Sequence, residues 1–201
     1  LERLTFVRSR AKVQLSRIFF YLATQKLDGL LGRDAGSTIS NGFKLMLNTG
    51  CPLEERTGYP RGYPDRSERD RILSADNYTA GADYQAQSVV AVTDDFDANC
   101  DAIAGGGAID YGIPWYSGIV PRDRIVRRFA PPSRYGGHAN CILGYDEDRG
   151  LYEAWNSHRD GHYWIDPDAW RQMLRHRYTA AGIVFGQSEP EPVNWSQEAY
   201  L

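Results

Sequence analysis

The spacing of apolar residues predicts helices in the first 50 residues of the chain. Residues 1–11 place apolar side chains at helical intervals, with a glutamate near the start and arginines near the end, an order that suits a helix dipole. We expect this helix to begin before residue 1, because no capping residue precedes it. Ser16 predicts the start of a second helix, and Ser37 or Ser40 that of a third, which ends at residues 48–50.

The pattern changes after the third helix. Residues 51–71 hold three prolines, two tyrosines and dense charge of both signs, which predicts a loop that crosses the surface or runs between two lobes. The second half of the chain is rich in short apolar runs that predict strands, with two helices among them. The predicted strands are 87–92, 108–116, 139–145, 152–156, 163–165 and 180–185, and the helices are 96–104 and one that begins at 166.

Helices that come first and strands that come later indicate an α+β chain. We divide it into a helical lobe at 1–75, a β-rich lobe at 76–186 and a surface tail at 187–201. The chain has 201 residues, 42% of them hydrophobic, so it can bury the core of one domain or of two closely packed lobes. No apolar run approaches 18 residues, and we expect no transmembrane helix.

Charge and cysteine content narrow the classes of partner and cofactor. A net charge of −3 gives no reason to expect nucleic acid or an anionic membrane, and Asp123 interrupts the arginines at 122–134, which favours a solvated loop there. Without a CxxC pair, we expect neither a zinc site nor a disulfide scaffold, although one disulfide stays open. His158 and His162 flank Asp160, but a loop holding solvated polar residues is the better interpretation, and we expect no metal or cofactor. The three cysteines are Cys51, Cys100 and Cys141.

A Gly-Gly-His-Ala run at 136–139 carries the candidate chemistry. It precedes an apolar strand, and Asn156 ends the next strand. If a turn at 146–150 joins two antiparallel strands, His138 and Asn156 lie side by side. An amide oxygen that accepts from one imidazole nitrogen fixes the ring and its tautomer, and the other nitrogen can then face a thiol. A cysteine beside an imidazolium ionises easily and becomes a nucleophile.

These residues resemble the papain family of cysteine peptidases. The segment GGHANCILGYD followed by AWNSHRDGHYWI is similar to the family's His and Asn segments. Residues 50–60 resemble its helical lobe, and residues 15–21 the helix that follows the nucleophile helix in bacterial and viral members. The resemblance covers most of residues 1–186. It implies a papain-like two-lobed α+β fold, with a helical lobe, an antiparallel β-barrel-like lobe and an extended peptide substrate or a protein partner in the cleft between them.

The resemblance also assigns roles to individual residues. It implies that His138 is the general base and acid, that Asn156 orients it, and that Gly36 and Gly137 contact the substrate backbone. The alternative for either glycine is that it only forms a turn. The back half of the family's central helix matches residues 1–4, so the nucleophilic Cys and the oxyanion-hole glutamine are expected upstream of this chain, on the same polypeptide or on a separate N-terminal fragment.

None of the three cysteines is expected to replace that nucleophile. Cys51 follows a helix C-terminus, where the dipole disfavours a thiolate, and Cys100 lies in a short helix of the other lobe. Cys141 lies inside the His strand, where we expect a packed core thiol.

The sequence departs from the family at position 158, and two alternatives to the main function stay open. The family's Trp after Asn-Ser is His158 here, so either Trp155 covers the His–Asn pair from the other side or the hydrogen bond between them is more accessible to water. The main hypothesis is a cysteine peptidase. The alternatives are a non-catalytic papain-fold protein that binds a partner or builds an assembly, and an amidase or transferase on the same machinery.

Overall fold

The computed structural model describes residues 13–158 and 161–186. Within this part the first half is helical, and the second half is a β-sheet with two helices. The predicted helix at 1–11 and the tail at 187–201 lie outside the described residues. The helices of the first half are α1 (Arg17–Asp28), α2 (Ile39–Asn48), α3 (Glu54–Thr57), α4 (Arg66–Ile72) and α5 (Ala75–Gly81), followed by a single 3-10 turn (Ala82–Tyr84).

Side-chain caps determine where the first two helices begin. The hydroxyl of Ser16 accepts from the backbone N–H of Phe19 at 3.0 Å, which confirms the predicted start of α1. The cap of α2 is Thr38, so the predictions of Ser37 and Ser40 were each wrong by one or two residues. Asp28 decides the position, because its carboxylate accepts from both the backbone N–H and the hydroxyl of Thr38.

The predicted loop at 51–71 was wrong where α3 and α4 form. Asp65 and Glu68 make a capping box, in which each side chain accepts from the other residue's backbone N–H. Two arginines in the last turn of α4 also suit the negative end of the helix dipole. These local interactions outweigh the three prolines, which lie at or outside the helix ends.

Seven strands in the described residues form one sheet. From one edge to the other they are Ser88–Val90 (β1), Ala180–Phe185 (β7), Ala108–Trp115 (β2), Gly136–Asp146 (β4), Leu151–Trp155 (β5), His162–Ile165 (β6) and Ile125–Val126 (β3). All neighbouring strands are antiparallel except β3 and β6, which are parallel. The predicted strands are all present, and the predicted bounds of the helix at 96–104 are confirmed. The elements are β1 (Ser88–Val90), α6 (Phe96–Ala104), β2 (Ala108–Trp115), β3 (Ile125–Val126), β4 (Gly136–Asp146), β5 (Leu151–Trp155), β6 (His162–Ile165), α7 (Pro167–Leu174) and β7 (Ala180–Phe185).

Two apolar cores lie on either side of the junction between helices and sheet. Phe19 and Leu22 of α1 belong to the helical core, and Trp170 of α7 packs into the core of the sheet. Phe43 of α2 lies against a small third cluster that includes Val184 of β7, which joins the two halves. Helical structure continues to residue 84. The boundary at 75/76 between the two lobes stays a prediction. No helix in the described ranges is both long and apolar enough to cross a membrane.

Candidate active site

The pairing of β4 with β5 brings His138 and Asn156 together. Cys141 lies opposite Trp155 in this antiparallel pair, so Asn156 leaves β5 beside the start of β4. The imidazole Nε2 of His138 lies 2.7 Å from the amide oxygen Oδ1 of Asn156. Asn156 is 8% exposed, and a hydrogen bond in so dry a place is strong and well oriented.

The backbone of His158 decides which way this hydrogen bond runs. Its N–H lies 2.9 Å from Oδ1 of Asn156, and a backbone N–H can only donate. The side chain of Asn156 must therefore present its oxygen here, because its NH₂ group could not accept. Since that oxygen accepts only, Nε2 of His138 carries the proton and donates to Asn156. In the neutral ring, Nδ1 of His138 is then the basic nitrogen.

Burial controls the protonation of His138. Removal from water lowers the pKa of His138 below its ordinary value, because burial disfavours the imidazolium. The hydrogen bond to Asn156 raises the pKa in part, and a positive charge on the neighbouring His158 lowers it further. In this chain His138 is therefore biased toward the neutral form that can act as a base.

Two aromatic rings flank the imidazole of His138. The ring of His158 stacks on it, with centroids 4.0 Å apart and an interplanar angle of 25°. Trp115 of β2 lies 5.0 Å from His138 and is paired with Gly136 of β4 in the sheet. Sequence reasoning missed Trp115, which only the register of β2 with β4 brings here.

Trp155 does not have the position expected for it. Its ring lies 5.4 Å from the imidazole of His162, whereas His158 and Trp115 are the rings that lie against His138. The reason is alternation along the strand, because Trp155 and the next residue, Asn156, point to opposite sides. The expectation that Trp155 covers the His–Asn pair is therefore corrected to Trp115 and His158.

In the described residues, which include all three cysteines, no thiol is positioned as a partner for His138. Cys141 is three residues further along β4, so its side chain points to the opposite face and lies about 10 Å away along the strand. It is half-buried rather than packed in the core as we expected. Cys51 donates to the carbonyl of Ser16 at 3.3 Å in the helical half. None of the three cysteines is in a disulfide.

Cys100 is also chemically unsuited to nucleophilic attack. Burial in α6 raises the pKa of the Cys100 thiol to about 12, and nearby carboxylates, chiefly that of Asp97, add to the effect. The thiol thus stays protonated at neutral pH, and a protonated thiol is a poor nucleophile.

The two candidate substrate-binding glycines lie in different surroundings. Gly137 is exposed beside His138, opposite Pro114 of β2, and a methyl group built on it would meet no atom within 4 Å. Gly36 is exposed in the loop between α1 and α2, with a φ of 77° that favours glycine. Its N–H donates to the hydroxyl of Tyr21 at 3.0 Å, and its carbonyl accepts from Gln25 at 3.1 Å.

A close contact connects the two halves near His138. A methyl group built on Gly112 of β2 would lie 2.6 Å from Cγ1 of Ile39, the first residue of α2. Gly112 faces Ala139 in the sheet, and Ala139 follows His138. The first residue of α2 therefore packs on the sheet one residue away from His138 along β4, on the face of Ala139 rather than that of His138.

Asn140 is a second residue that sequence reasoning missed. It lies on β4 two residues after His138, on the same face, and is 6% exposed. Both polar atoms of its side chain are buried and make no hydrogen bond within the described residues, and the same holds for Nδ2 of Asn156. The signal available in the sequence was an asparagine inside an apolar strand.

His158 and His162 contact different side chains. His162 lies 3.1 Å from the carboxylate of Glu153, whereas His158 stacks on His138. Asp160 lies outside the described residues. In the ranges that the structure describes, no group of three His, Cys, Asp or Glu side chains could hold a metal ion.

Comparison with solved structures identifies the fold. Xylellain, a cysteine protease from Xylella fastidiosa, is 21% identical and superposes with a TM-score of 0.71 over 92% of this chain and 76% of that protein. A cysteine protease from Carica candamarcensis, solved in complex with E-64, is 13% identical with a TM-score of 0.58, over 93% and 87% of the two chains. A clostridial cysteine protease solved after propeptide cleavage is 17% identical with a TM-score of 0.64, over 95% and 51%.

These likenesses establish the fold class that the resemblance implied: the chain has the papain-like α+β fold. No family model matches the sequence. No curated protein matches it either.

Proposed function

We propose that this chain forms the His–Asn part of a cysteine peptidase that hydrolyses peptide bonds by acyl transfer. The observation that carries the proposal is the 2.7 Å hydrogen bond between His138 and Asn156, in which Nε2 must be the donor. That arrangement leaves Nδ1 as the basic nitrogen, which is the requirement for a general base that activates a thiol. The papain-like fold supports this function, because it is the fold of the cysteine proteases compared above.

In the proposed reaction Nδ1 of His138 first takes the proton of a cysteine thiol. The thiolate attacks the carbonyl carbon of the scissile peptide bond, and the imidazolium then gives its proton to the departing amine, which leaves an acyl-enzyme thioester. Water attacks the thioester while His138 takes one of its protons, and the thiolate leaves as the carboxylic acid is released. Asn156 keeps the ring oriented through both proton transfers.

We place the nucleophile outside the 201 residues of this chain. Cys141 points away from His138, and the thiol of Cys100 is held in its protonated form. Cys51 donates to a backbone carbonyl in the core of the helical half. A cysteine near the N-terminus of the family's central helix would instead benefit from the positive end of the helix dipole.

The proposed substrate is a peptide in extended conformation between the helical and sheet halves. Gly137 supports this path, because its exposed backbone has no side chain that would block an approaching chain. Gly36 forms the opposite wall in this proposal, although its own N–H and carbonyl are already hydrogen-bonded within the protein. Ser37, the next residue, is exposed.

Covalent labelling with an epoxide inhibitor of thiol proteases tests the proposal. The natural full-length protein is treated with the probe and digested, and mass spectrometry locates the modified residue. We expect one modified cysteine outside the 201 residues, and we expect His138→Ala to slow its labelling by roughly a thousandfold or more. Labelling of Cys51, Cys100 or Cys141, or equal labelling of both proteins, would overturn it.

A non-catalytic papain-fold protein is the second candidate. The observation in its favour is that none of the three cysteines of the chain is positioned beside His138. In that case the cleft would bind a protein partner without hydrolysing it. Serine or glycine at the nucleophile position of the full-length sequence, together with no labelling, would favour this function over the peptidase.

A further inference from the structure

The loop between α1 and α2 is exposed, yet side chains from elsewhere hold its backbone. We name residues 29–37 the Gly36 loop. It has no helical or strand structure beyond a turn after α1, and every residue in it except Leu30 is exposed. Exposed loops of this kind usually leave their backbone groups to water. Here the backbone at Gly32, Arg33 and Gly36 is hydrogen-bonded to buried or half-buried side chains.

Gln25 is at the centre of these contacts. It lies on α1 and is 0% exposed, which is unusual for a glutamine and requires that its amide be satisfied. Its NH₂ group donates to the carbonyl of Arg33 at 2.9 Å and to that of Gly36 at 3.1 Å. Its carbonyl oxygen accepts from the hydroxyl of Tyr63 at 2.7 Å.

Two tyrosines extend the contacts to the N–H groups of the loop. The hydroxyl of Tyr63, which donates to Gln25, accepts from the N–H of Gly32 at 2.9 Å. The hydroxyl of Tyr21 accepts from the N–H of Gly36 and lies 3.0 Å from the amide nitrogen of Gln25. It donates in turn to the carboxylate of Asp34. Burial raises the pKa of Tyr21 to about 12, with the bond to Asp34 adding to the shift, so this hydroxyl keeps its proton.

Asp28 fixes the end of the loop that leads into α2. Its carboxylate accepts from the N–H of Thr38 at 2.8 Å and from the amide of Asn41 at 2.6 Å. Ile39, between these two residues, then contacts the sheet at Gly112. The loop is therefore held by Gln25 and the tyrosines on one side of Ser37 and by Asp28 on the other, and Ser37 itself faces solvent.

We propose that Gln25, together with Tyr21 and Tyr63, is a positioning residue that fixes the Gly36 loop as one wall of the substrate cleft. This inference rests on the proposed function, because it takes the cleft as the substrate site. We name these three side chains, Gln25, Tyr21 and Tyr63, the clamp. Its polar groups hydrogen-bond with both the N–H and the carbonyl of Gly36. The substrate thus meets a wall that is already rigid. The conformational entropy of the loop is lost during folding rather than when the substrate binds.

A purely structural role for Gln25 would have a different signature. If the buried amide only stabilised α1 and its core, its loss would lower the stability of the helical half and disturb turnover only through the fraction of folded protein. A positioning role instead requires local loosening of the loop and weaker substrate binding at unchanged kcat.

Amide hydrogen exchange tests the clamp without any need for catalysis. NMR on the 201-residue chain compares Gln25→Leu with the unsubstituted protein at Gly32 and Gly36. The N–H groups of these glycines donate to the hydroxyls of Tyr63 and Tyr21. We expect their exchange to become at least about tenfold faster, while amides in the middle of β4 are unchanged. Gln87→Leu is the matched control, because Gln87 is exposed and we expect it to change neither glycine.

Tyr63→Phe keeps the test decisive if Gln25→Leu fails to fold. It removes one hydroxyl from a half-buried ring, and we expect faster exchange at Gly32 alone. Unchanged exchange at both glycines in the folded variants would overturn the proposal, and so would acceleration spread evenly over the whole chain.

Steady-state kinetics on the full-length protein test the second part of the proposal, the role in substrate binding. With a peptide substrate, we expect Gln25→Leu to raise KM by about tenfold and to leave kcat within about twofold, because His138 is untouched. An unchanged KM, or a fall in kcat alone, would overturn the role in substrate binding. If the unsubstituted protein hydrolyses no peptide, the proposed function fails, and the exchange measurements alone decide whether Gln25 holds the loop.

Discussion

The two proposed walls of the candidate site are built in opposite ways. His138 lies on β4 and Asn156 directly follows β5, so the backbone ladder of these two strands determines how they meet. The Gly36 loop belongs to no ladder, and its shape depends on side-chain hydrogen bonds, chiefly those of the buried Gln25. The sheet side is thus specified by many equivalent backbone bonds, and the loop side by a few individual side chains.

This difference determines where single substitutions act. On the sheet side a substitution at the ring or the amide removes chemistry while the strands stay in register, since the ladder does not depend on either side chain. On the loop side a substitution far from the substrate can alter the wall itself. The expected effects therefore concern rate on one side and binding or stability on the other.

Asn156→Ala should have the largest effect, on the sheet side. It removes the acceptor for Nε2 of His138 and for the N–H of His158, so the ring is free to turn and to exchange tautomers. If the full-length protein is the proposed peptidase, we expect its kcat to fall by about a hundredfold with little change in KM. Steady-state kinetics with a peptide substrate measure this, and circular dichroism checks that the fold is retained.

Ser157→Ala is the matched control for that variant, because Ser157 is the exposed neighbour of Asn156. We expect it to keep nearly all of the activity. If Asn156→Ala retained more than half of kcat, the orientation of His138 would have to come from Trp115 and His158 rather than from the amide.

The sheet side was predictable from the sequence because its determinants are local. Alternation along the strands and a short turn between them are sufficient to place His138 beside Asn156. Their hydrogen bond is observed, while their catalytic roles and those of Gly36 and Gly137 remain predictions. The helix start at Ser16 and the bounds of α6 were predictable for the same reason.

The loop side was not predictable, because its determinants are distant in sequence. Gln25 and Tyr63 are 38 residues apart, and no spacing rule connects a helical glutamine with a tyrosine in a proline-rich stretch. The cap of α2 was misplaced for a similar reason, since Asp28 of the preceding helix selects Thr38. The contact of Trp115 with His138 was not predicted, because Trp115 lies on another strand and only the register of β2 with β4 brings it there.

Gly112→Ala probes the contact between the start of α2 and the sheet, and its effect should be intermediate. The added methyl group would lie 2.6 Å from Cγ1 of Ile39, at the start of α2, so either the side chain of Ile39 or the helix itself must shift. We expect the free energy of unfolding to fall by about 1–3 kcal/mol. Chemical denaturation measures this change.

Gly137→Ala is the matched control on the next strand. No atom lies within 4 Å of the methyl group that it adds, and its φ is not in the left-handed region, so we expect a change within about 0.5 kcal/mol. Equal losses in the two variants would mean that the contact with Ile39 does not constrain the junction.

The smallest expected effect concerns the charge next to His138. His158→Phe keeps a ring against the imidazole but removes the positive charge that helps burial to lower the pKa of His138. We therefore expect the pKa of His138 to rise toward its ordinary value, while burial still holds it below that value. NMR titration of the imidazole signals in the 201-residue chain measures this shift.

The same lowered pKa gives the direction of the stability change with pH. Because His138 binds its proton less readily when folded, its contribution to stability is complete above its unfolded pKa, about 6.5, and declines as pH falls from there toward the folded pKa. Raising the folded pKa narrows that window, so His158→Phe should lose less stability on acidification than the unsubstituted chain. A downward shift of the His138 pKa in the variant would show that the second imidazole supports the protonated ring, and the site would then be tuned by the stack rather than by charge repulsion.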